Sequence, residues 1–156
     1  MEIGESMAKR LYIDMDNVLV DFRSGIDRVS EADATLHVDC LDEVPGIFAL
    51  MDPMPGAIEA YTELSELFDT YILSTAPWEN PSAWSDKLLW VKKHLNPSAY
   101  KRLILTHHKN LNSGDFLIDD RDKNGADSFS GELILFDSER FPDWATVLEY
   151  LRARAT

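Results

Sequence analysis

The chain of 156 residues has a single cysteine, Cys40, so it can form no intramolecular disulfide. Nowhere does it approach the roughly 20 consecutive apolar residues that cross a bilayer. Its first ten residues contain no apolar stretch of signal-peptide length, which predicts a cytoplasmic protein, neither exported nor held in a membrane. Basic residues are scarce: 15 Lys and Arg stand against 28 Asp and Glu, a net charge of −13. Such a field repels polyphosphate backbones, whose binding rests on basic patches that release counterions, and this disfavours a DNA- or RNA-binding module. Internal repeats, low-complexity tracts and Pro/Gly/Ser linkers are absent, and the length predicts one unit spanning residues 1–156. A chain of this size buries roughly 68–70% of the surface it exposes when unfolded, enough for a core without disulfides or a structural metal. Residues 1–6, ahead of an alternative start at Met7, read as a loose tail.

The abundance of acids has a constructive reading as well, because some of them can hold a cation and so let an acidic protein bind a small anion. Leu11-Tyr12-Ile13 is a short apolar run cut off by Asp14, the pattern of a buried strand. Similar runs recur at Thr70–Leu73, Leu103–Leu105, Phe116–Ile118 and Leu133–Phe136. Between them lie helical periods: Ala57, Tyr61, Leu64 and Phe68 after Pro55-Gly56, then Trp84, Leu88, Val91 and Leu95, then Trp144, Val147, Leu148 and Leu151 after Pro142-Asp143. Strands with little alternation, separated by helices, describe an α/β fold with a parallel sheet covered on both faces. From Phe22 to Asp52 the pattern loosens into a helix at Phe22, Ile26 and Val29 and then turns. This is an insertion after the first strand, at the sheet edge where open α/β folds place ligands.

Two strands end in acids, Asp14-Met15-Asp16 and Asp119-Asp120-Arg121. Oxygens from Asp14, Asp16 and Asp119 would suit Mg²⁺, a hard ion that keeps waters and takes a phosphate oxygen as a further ligand. A third strand ends in Ser74-Thr75-Ala76-Pro77, whose hydroxyls can meet phosphate oxygens or simply start a helix. Lys109 follows Leu103–Leu105 and offers a point cation suited to phosphate. Phe22, Phe48 and Trp78 either stack on a nucleobase or pack the insertion. Trp84 and Trp90 read as core, His107-His108 as a solvated turn, Asp39–Glu43 as a solvated loop, and Cys40 as structural.

The order of D-x-D, Ser/Thr, Lys and an acidic pair, each after an apolar strand, resembles the four motifs of the haloacid-dehalogenase-like superfamily. Within it, Asp14–Phe22, Pro53-Met54-Pro55-Gly56-Ala57, Ser74–Pro77, Trp90-Val91, Thr106 with Lys109, and Leu117–Arg121 resemble the 5′(3′)-deoxyribonucleotidase branch. The resemblance implies a Rossmann-like three-layer parallel sheet with a small helical cap over residues 22–52. It also implies an aspartyl-phosphate mechanism, with Asp14 as nucleophile and Asp16 as general acid and base. Thr75 and Lys109 would sit on the phosphate, and Phe22, Ser74, Ala76 and Arg121 around the substrate, Arg121 either touching phosphate or pairing with an acid. Mg²⁺ would lie on Asp14, Asp119 and the Asp16 backbone carbonyl, with Asp120 behind them. The expected substrate is a small phosphate ester, a nucleoside monophosphate, with homodimerisation open. Two expectations stand beside this one: a phosphatase of the same superfamily for another small ester, and a non-catalytic module that binds a phospho-ligand. The chain departs from the branch at Asn17, where Gly is usual, at Ala76, where Ser is usual, and in the short insertion.

Overall fold

A computed structural model describes residues 8–155; the expected loose tail at 1–6 lies outside them. Its centre is a sheet of five parallel strands: β1 (Arg10–Ile13), β4 (Asp69–Ser74), β5 (Leu103–Leu105), β6 (Phe116–Asp119) and β7 (Glu132–Leu135), in spatial order β5-β4-β1-β6-β7. β1 lies between β4 and β6, with Ile13 opposite both Ile72 and Ile118. The chain winds from β1 outward to β4 and β5 and then returns to build β6 and β7, so its direction reverses at the β1/β6 pair. A crevice forms at the carboxyl ends of the strands where such a reversal occurs.

Alternate residues of β1 feed two cores, because successive side chains of a strand point to opposite faces. Leu11 and Ile13 join a large cluster covered by helices α3 (Ala57–Leu67), α4 (Pro81–His94) and α5 (Trp144–Arg152). Tyr12 faces a smaller cluster with Leu73, Leu117, Ala126 and Phe129. Both faces are thus covered, but the second by a 3₁₀ turn at Ala126–Ser128 and its flanking loop rather than by a helix.

On α4 the buried stripe is Ala83, Lys87, Trp90 and Val91, while Leu88 is 43% exposed. Of the periodic set Trp84, Leu88, Val91 and Leu95, Val91 and Leu95 are buried and Trp84 packs against the core, while Leu88 turns outward and Lys87 takes the buried place beside it.

The 22–52 insertion holds two short helices, α1 (Phe22–Ile26) and α2 (Glu31–Leu36), and 3₁₀ turns at Leu41–Glu43 and Ile47–Leu50. A two-residue antiparallel pairing of β2 (Val20–Asp21) with β3 (Asp52–Pro53) closes its base. Side chains pin it to α4. The buried Asn80 amide donates to the carbonyls of Asp42 (2.9 Å) and Val44 (3.0 Å), and the Trp90 indole donates to the Met51 carbonyl at 2.9 Å.

Candidate active site

The tight turn after β1 sets the two aspartates. The amides of Val18, Leu19 and Val20 all donate to the Met15 carbonyl, at 3.1, 2.9 and 2.9 Å. Asn17 holds φ at +62°, the left-handed region, in which Asn ranks after Gly among tolerated residues. Asn17, where Gly is usual in the resembling branch, thus takes a conformation that glycine also adopts readily. The Asp14 amide donates to the Ile118 carbonyl at 2.9 Å, continuing the β1–β6 ladder and carrying Asp14 alongside Asp119.

Asp14 and Asp119 are buried beside Lys109, whose ammonium reaches Asp14 Oδ1 at 3.0 Å and Asp119 Oδ2 at 2.5 Å. Lys109 is fixed by its backbone as well: its amide donates to the Asn124 carbonyl at 2.8 Å, and Gly125 at φ +86° brings the loop over it. A Cβ at residue 125 would lie 3.0 Å from the Lys109 amide nitrogen. Oxygens of Asp14, Asp119 and Asp120 all lie within 4.8 Å of one another. Asp120, expected behind the metal ligands, lies close enough to Asp14 and Asp119 to share their acidic cluster.

Burial first, and then the neighbouring Asp14 charge, pushes Asp119 up to about 8 and Asp120 up to about 6. Burial opposes the Lys109 ammonium, yet Asp14 and Asp119 outweigh it and raise its pKa. Three carboxylates against one ammonium leave a formal charge of −2 when all are ionised. That deficit, on hard oxygen donors, fits a divalent cation of the Mg²⁺ class.

Asp16 faces a different partner. Both of its carboxylate oxygens accept from the Lys87 ammonium at 3.1 Å, and the Lys87 ammonium also donates to Ser74 Oγ at 2.8 Å. Removal from water raises the Asp16 carboxyl, while Lys87 pulls the other way. Lys87 was not among the expected site residues. The signal for it was the lysine itself, standing in register with Ala83, Trp90 and Val91.

These groups meet in a cavity of about 350 Å³ lined by Asp14, Asp16, Phe22, Thr75, Lys109, Asp119, Asp120 and Arg121. Arg121 has no ion-pair partner among the described residues, and its backbone amide donates to Asp119 Oδ1 at 3.1 Å. Ser74 and Ala76 do not take the places expected of them: both are wholly buried and off the cavity wall, Ser74 being held by Lys87. Thr75 lines the cavity, but its hydroxyl donates to the Thr106 carbonyl at 2.7 Å and must turn to meet a ligand.

Of the candidate aromatics, Phe22 reaches the cavity, Phe48 is buried edge-on behind it at 5.8 Å, and Trp78 lies apart with Trp84 and His107. The loop expected to be merely solvated contributes Asp39, Cys40, Leu41 and Asp42 to the wall. The Cys40 thiol is pushed up by loss of water and then by Glu43, Asp42 and Asp39. A larger cavity of about 630 Å³ between α4 and β5 is mainly apolar and carries no acid.

The model of the family described as 5′ nucleotidase, deoxy (Pyrimidine), cytosolic type C protein matches residues 29–153. A putative 5′(3′)-deoxyribonucleotidase of Vibrio phage KVP40 is 60% identical over 141 residues, covering 90% of this chain and 83% of its own. The human cytosolic-type 5′(3′)-deoxyribonucleotidase is 33% identical, over 81% of this chain and 79% of its own. A crystal structure of a haloacid-dehalogenase-like hydrolase from Xanthomonas campestris superposes with TM-score 0.60 at 10% identity, covering 97% of this chain and 99% of that one, which shows the shared fold. The family match begins beyond Asp14 and Asp16, whose placement rests on the geometry above. By this match over residues 29–153 and by its likeness to the phage and human relatives, the chain belongs to the cytosolic type C 5′ nucleotidase family and is a hydrolase.

Proposed function

We propose that the chain is a Mg²⁺-dependent phosphomonoesterase that dephosphorylates (deoxy)nucleoside monophosphates through an aspartyl-phosphate on Asp14. The observation that carries this reading is the division of labour between two aspartates two residues apart. Asp14 stands in the three-acid cluster beside Lys109, and Asp16 is held outside it by Lys87. A carboxylate held beside an ammonium, at a site whose charge deficit a divalent cation would neutralise, suits attack on phosphorus, and a second one kept separate suits proton transfer.

Mg²⁺ would be held by Asp14, Asp119 and the Asp16 backbone carbonyl, with the Asp120 carboxylate adjoining. When bound it supplies the positive charge that lets an anionic nucleophile meet an anionic ester. Lys109 uses two of its three N–H groups on Asp14 and Asp119, leaving one for a nonbridging phosphate oxygen. Thr75, once turned from Thr106, donates to another. Arg121 adds a cation at the rim. Positioning and charge stabilisation of this kind supply most phosphoryl-transfer catalysis.

In this reading residues 22–52 act as a small cap over a single unit, and Phe22 lies against the base. The names of the phage and human relatives support a nucleotide substrate. The acidic wall of Asp39 and Asp42 and the net charge of −13 disfavour a polynucleotide.

The test is phosphate release from ribo- and deoxyribonucleoside 5′- and 3′-monophosphates and from sugar phosphates, with Mg²⁺ and with EDTA. Deoxynucleoside monophosphates should lead and EDTA should stop turnover. Sugar phosphates outcompeting every nucleotide would reassign the substrate, and undiminished rates in EDTA would remove the metal.

A further inference from the structure

Lys87 is wholly buried, and its three N–H groups are all used: two on the oxygens of Asp16 at 3.1 Å and one on Ser74 Oγ at 2.8 Å. Its ammonium also lies 4.6 Å from the centroid of the Phe48 ring, which packs edge-on against the cavity-lining Phe22. Packing alone gives no reason for a lysine here. Its neighbours on the buried stripe of α4 are Ala83, Trp90 and Val91, and a buried ion pair is commonly no more stabilising than apolar side chains of the same volume. The pair is also asymmetric: the Asp16 side chain keeps 28% of its surface exposed at the cavity while Lys87 keeps none. One end is thus locked in the core, and the other presents a carboxylate to the ligand.

We infer that Lys87 is a positioning residue, which fixes the orientation of the Asp16 carboxylate toward the ester oxygen and ties that carboxylate to the cap through Phe48. This inference rests on the phosphatase reading. In the step it serves, an Asp14 oxygen bonds to phosphorus as the phosphorus–ester oxygen bond breaks. The bonding pair leaves on the ester oxygen, which takes a proton from Asp16. Asp16 later takes a proton from the water whose oxygen displaces Asp14. With both oxygens gripped from behind, the carboxylate cannot rotate freely, and Ser74 keeps the grip from shifting sideways. Proton transfer by a well-placed side chain contributes about 10²–10⁴-fold to rate, and loss of placement forfeits part of it.

The test uses the leaving group. A deoxynucleoside 5′-monophosphate releases an alcohol that needs the proton, whereas p-nitrophenyl phosphate releases a phenolate that does not. kcat/KM covers only the steps up to departure of that group, so the later water step does not enter. Lys87→Met should lower kcat/KM for the nucleotide at least about tenfold more than for the nitrophenyl ester. In an Asp16→Asn background the same change should have less than about twofold further effect, as expected of two residues acting as a unit. Ser74→Ala, which keeps the ammonium but frees it on one side, should shift the ratio of the two esters in the same direction by about threefold, and it decides the matter should Lys87→Met not accumulate as folded protein. Equal losses on both esters, or a ratio unmoved by Ser74→Ala, overturn the role of Lys87. A wild-type protein inactive on both esters overturns the phosphatase reading and this inference with it.

Discussion

Asp14, Lys109 and Asp119 stand on backbone-bonded ground: β1 pairs with β4 and β6 along its length, and the Lys109 turn is bonded to the Asn124 loop. The cap wall opposite, Asp39–Asp42, has no ladder, and Asn80, Trp90 and Lys87 hold its neighbourhood to α4 through side chains. The ladder fixes charge positions regardless of which residues occupy the strands. The side-chain pins fix the wall only because particular residues are present. In the proposed function the chemistry falls to the floor, held by backbone bonds, and substrate choice to the wall, held by side chains and so open to change by substitution.

The largest expected effect tests the floor. Asp14→Asn should leave the fold intact and reduce turnover by roughly a thousandfold or more, since an amide neither attacks phosphorus nor forms an acyl phosphate. Residual activity within tenfold of wild type, measured by phosphate release, would refute the nucleophile. Next, Asp119→Ala should raise the Mg²⁺ concentration for half-maximal activity by about tenfold or more, because even residues that only orient metal ligands matter at that level. An unchanged requirement shifts the ligand to Asp120.

The floor should also show its charge without metal. Asp119 titrates near 3.8 when unfolded and about 8 when folded, so between those values the folded chain holds a proton that the unfolded chain has lost. Stability from this group is therefore full below about pH 4 and declines as pH rises through about 8. Thermal unfolding in EDTA should move to lower temperature from pH 6 to pH 9, and Mg²⁺ should restore most of the loss. A midpoint that climbs with pH would contradict the burial of these acids.

On the wall, Phe22→Ala should weaken nucleotide kcat/KM by about tenfold, in keeping with base stacking of about 1–3 kcal/mol, and p-nitrophenyl phosphate much less. Equal losses would make Phe22 a packing residue only. The smallest effect lies away from both regions. Tyr61 is fully buried, its hydroxyl has no partner among the described residues, and burial pushes it up to about 12. Tyr61→Phe should change stability by less than about 0.5 kcal/mol, or raise it, because it removes a polar group that gains no bond. Denaturant unfolding measures it.

The strands and the acids at their ends were legible because each run, such as Leu11-Tyr12-Ile13 before Asp14, carries its own apolar signal and its own stop. Lys87 was hidden because a lysine is read as a surface residue, which put the neighbouring Leu88 on the buried stripe in its place. Ser74 and Ala76 were misplaced for a related reason. Successive residues at a strand end look alike in sequence, but the chain just past β4 turns Thr75 to the cavity and its two neighbours inward. The Asp39–Asp42 wall gave no signal, since a polar loop reads the same whether it meets solvent or a cavity.

By itself, then, the sequence determined the α/β class, the parallel strands and the order of Asp14, Asp16, Thr75, Lys109 and Asp119, because these depend on short-range pattern. Only the tertiary structure decided that Asp120 joins Asp14 and Asp119, that Lys87 grips Asp16 across 71 residues of chain, and that an acidic loop lines the cavity. Those pairings depend on how strands are ordered and how a helix is rotated about its axis, and neither quantity is written in any local stretch of residues.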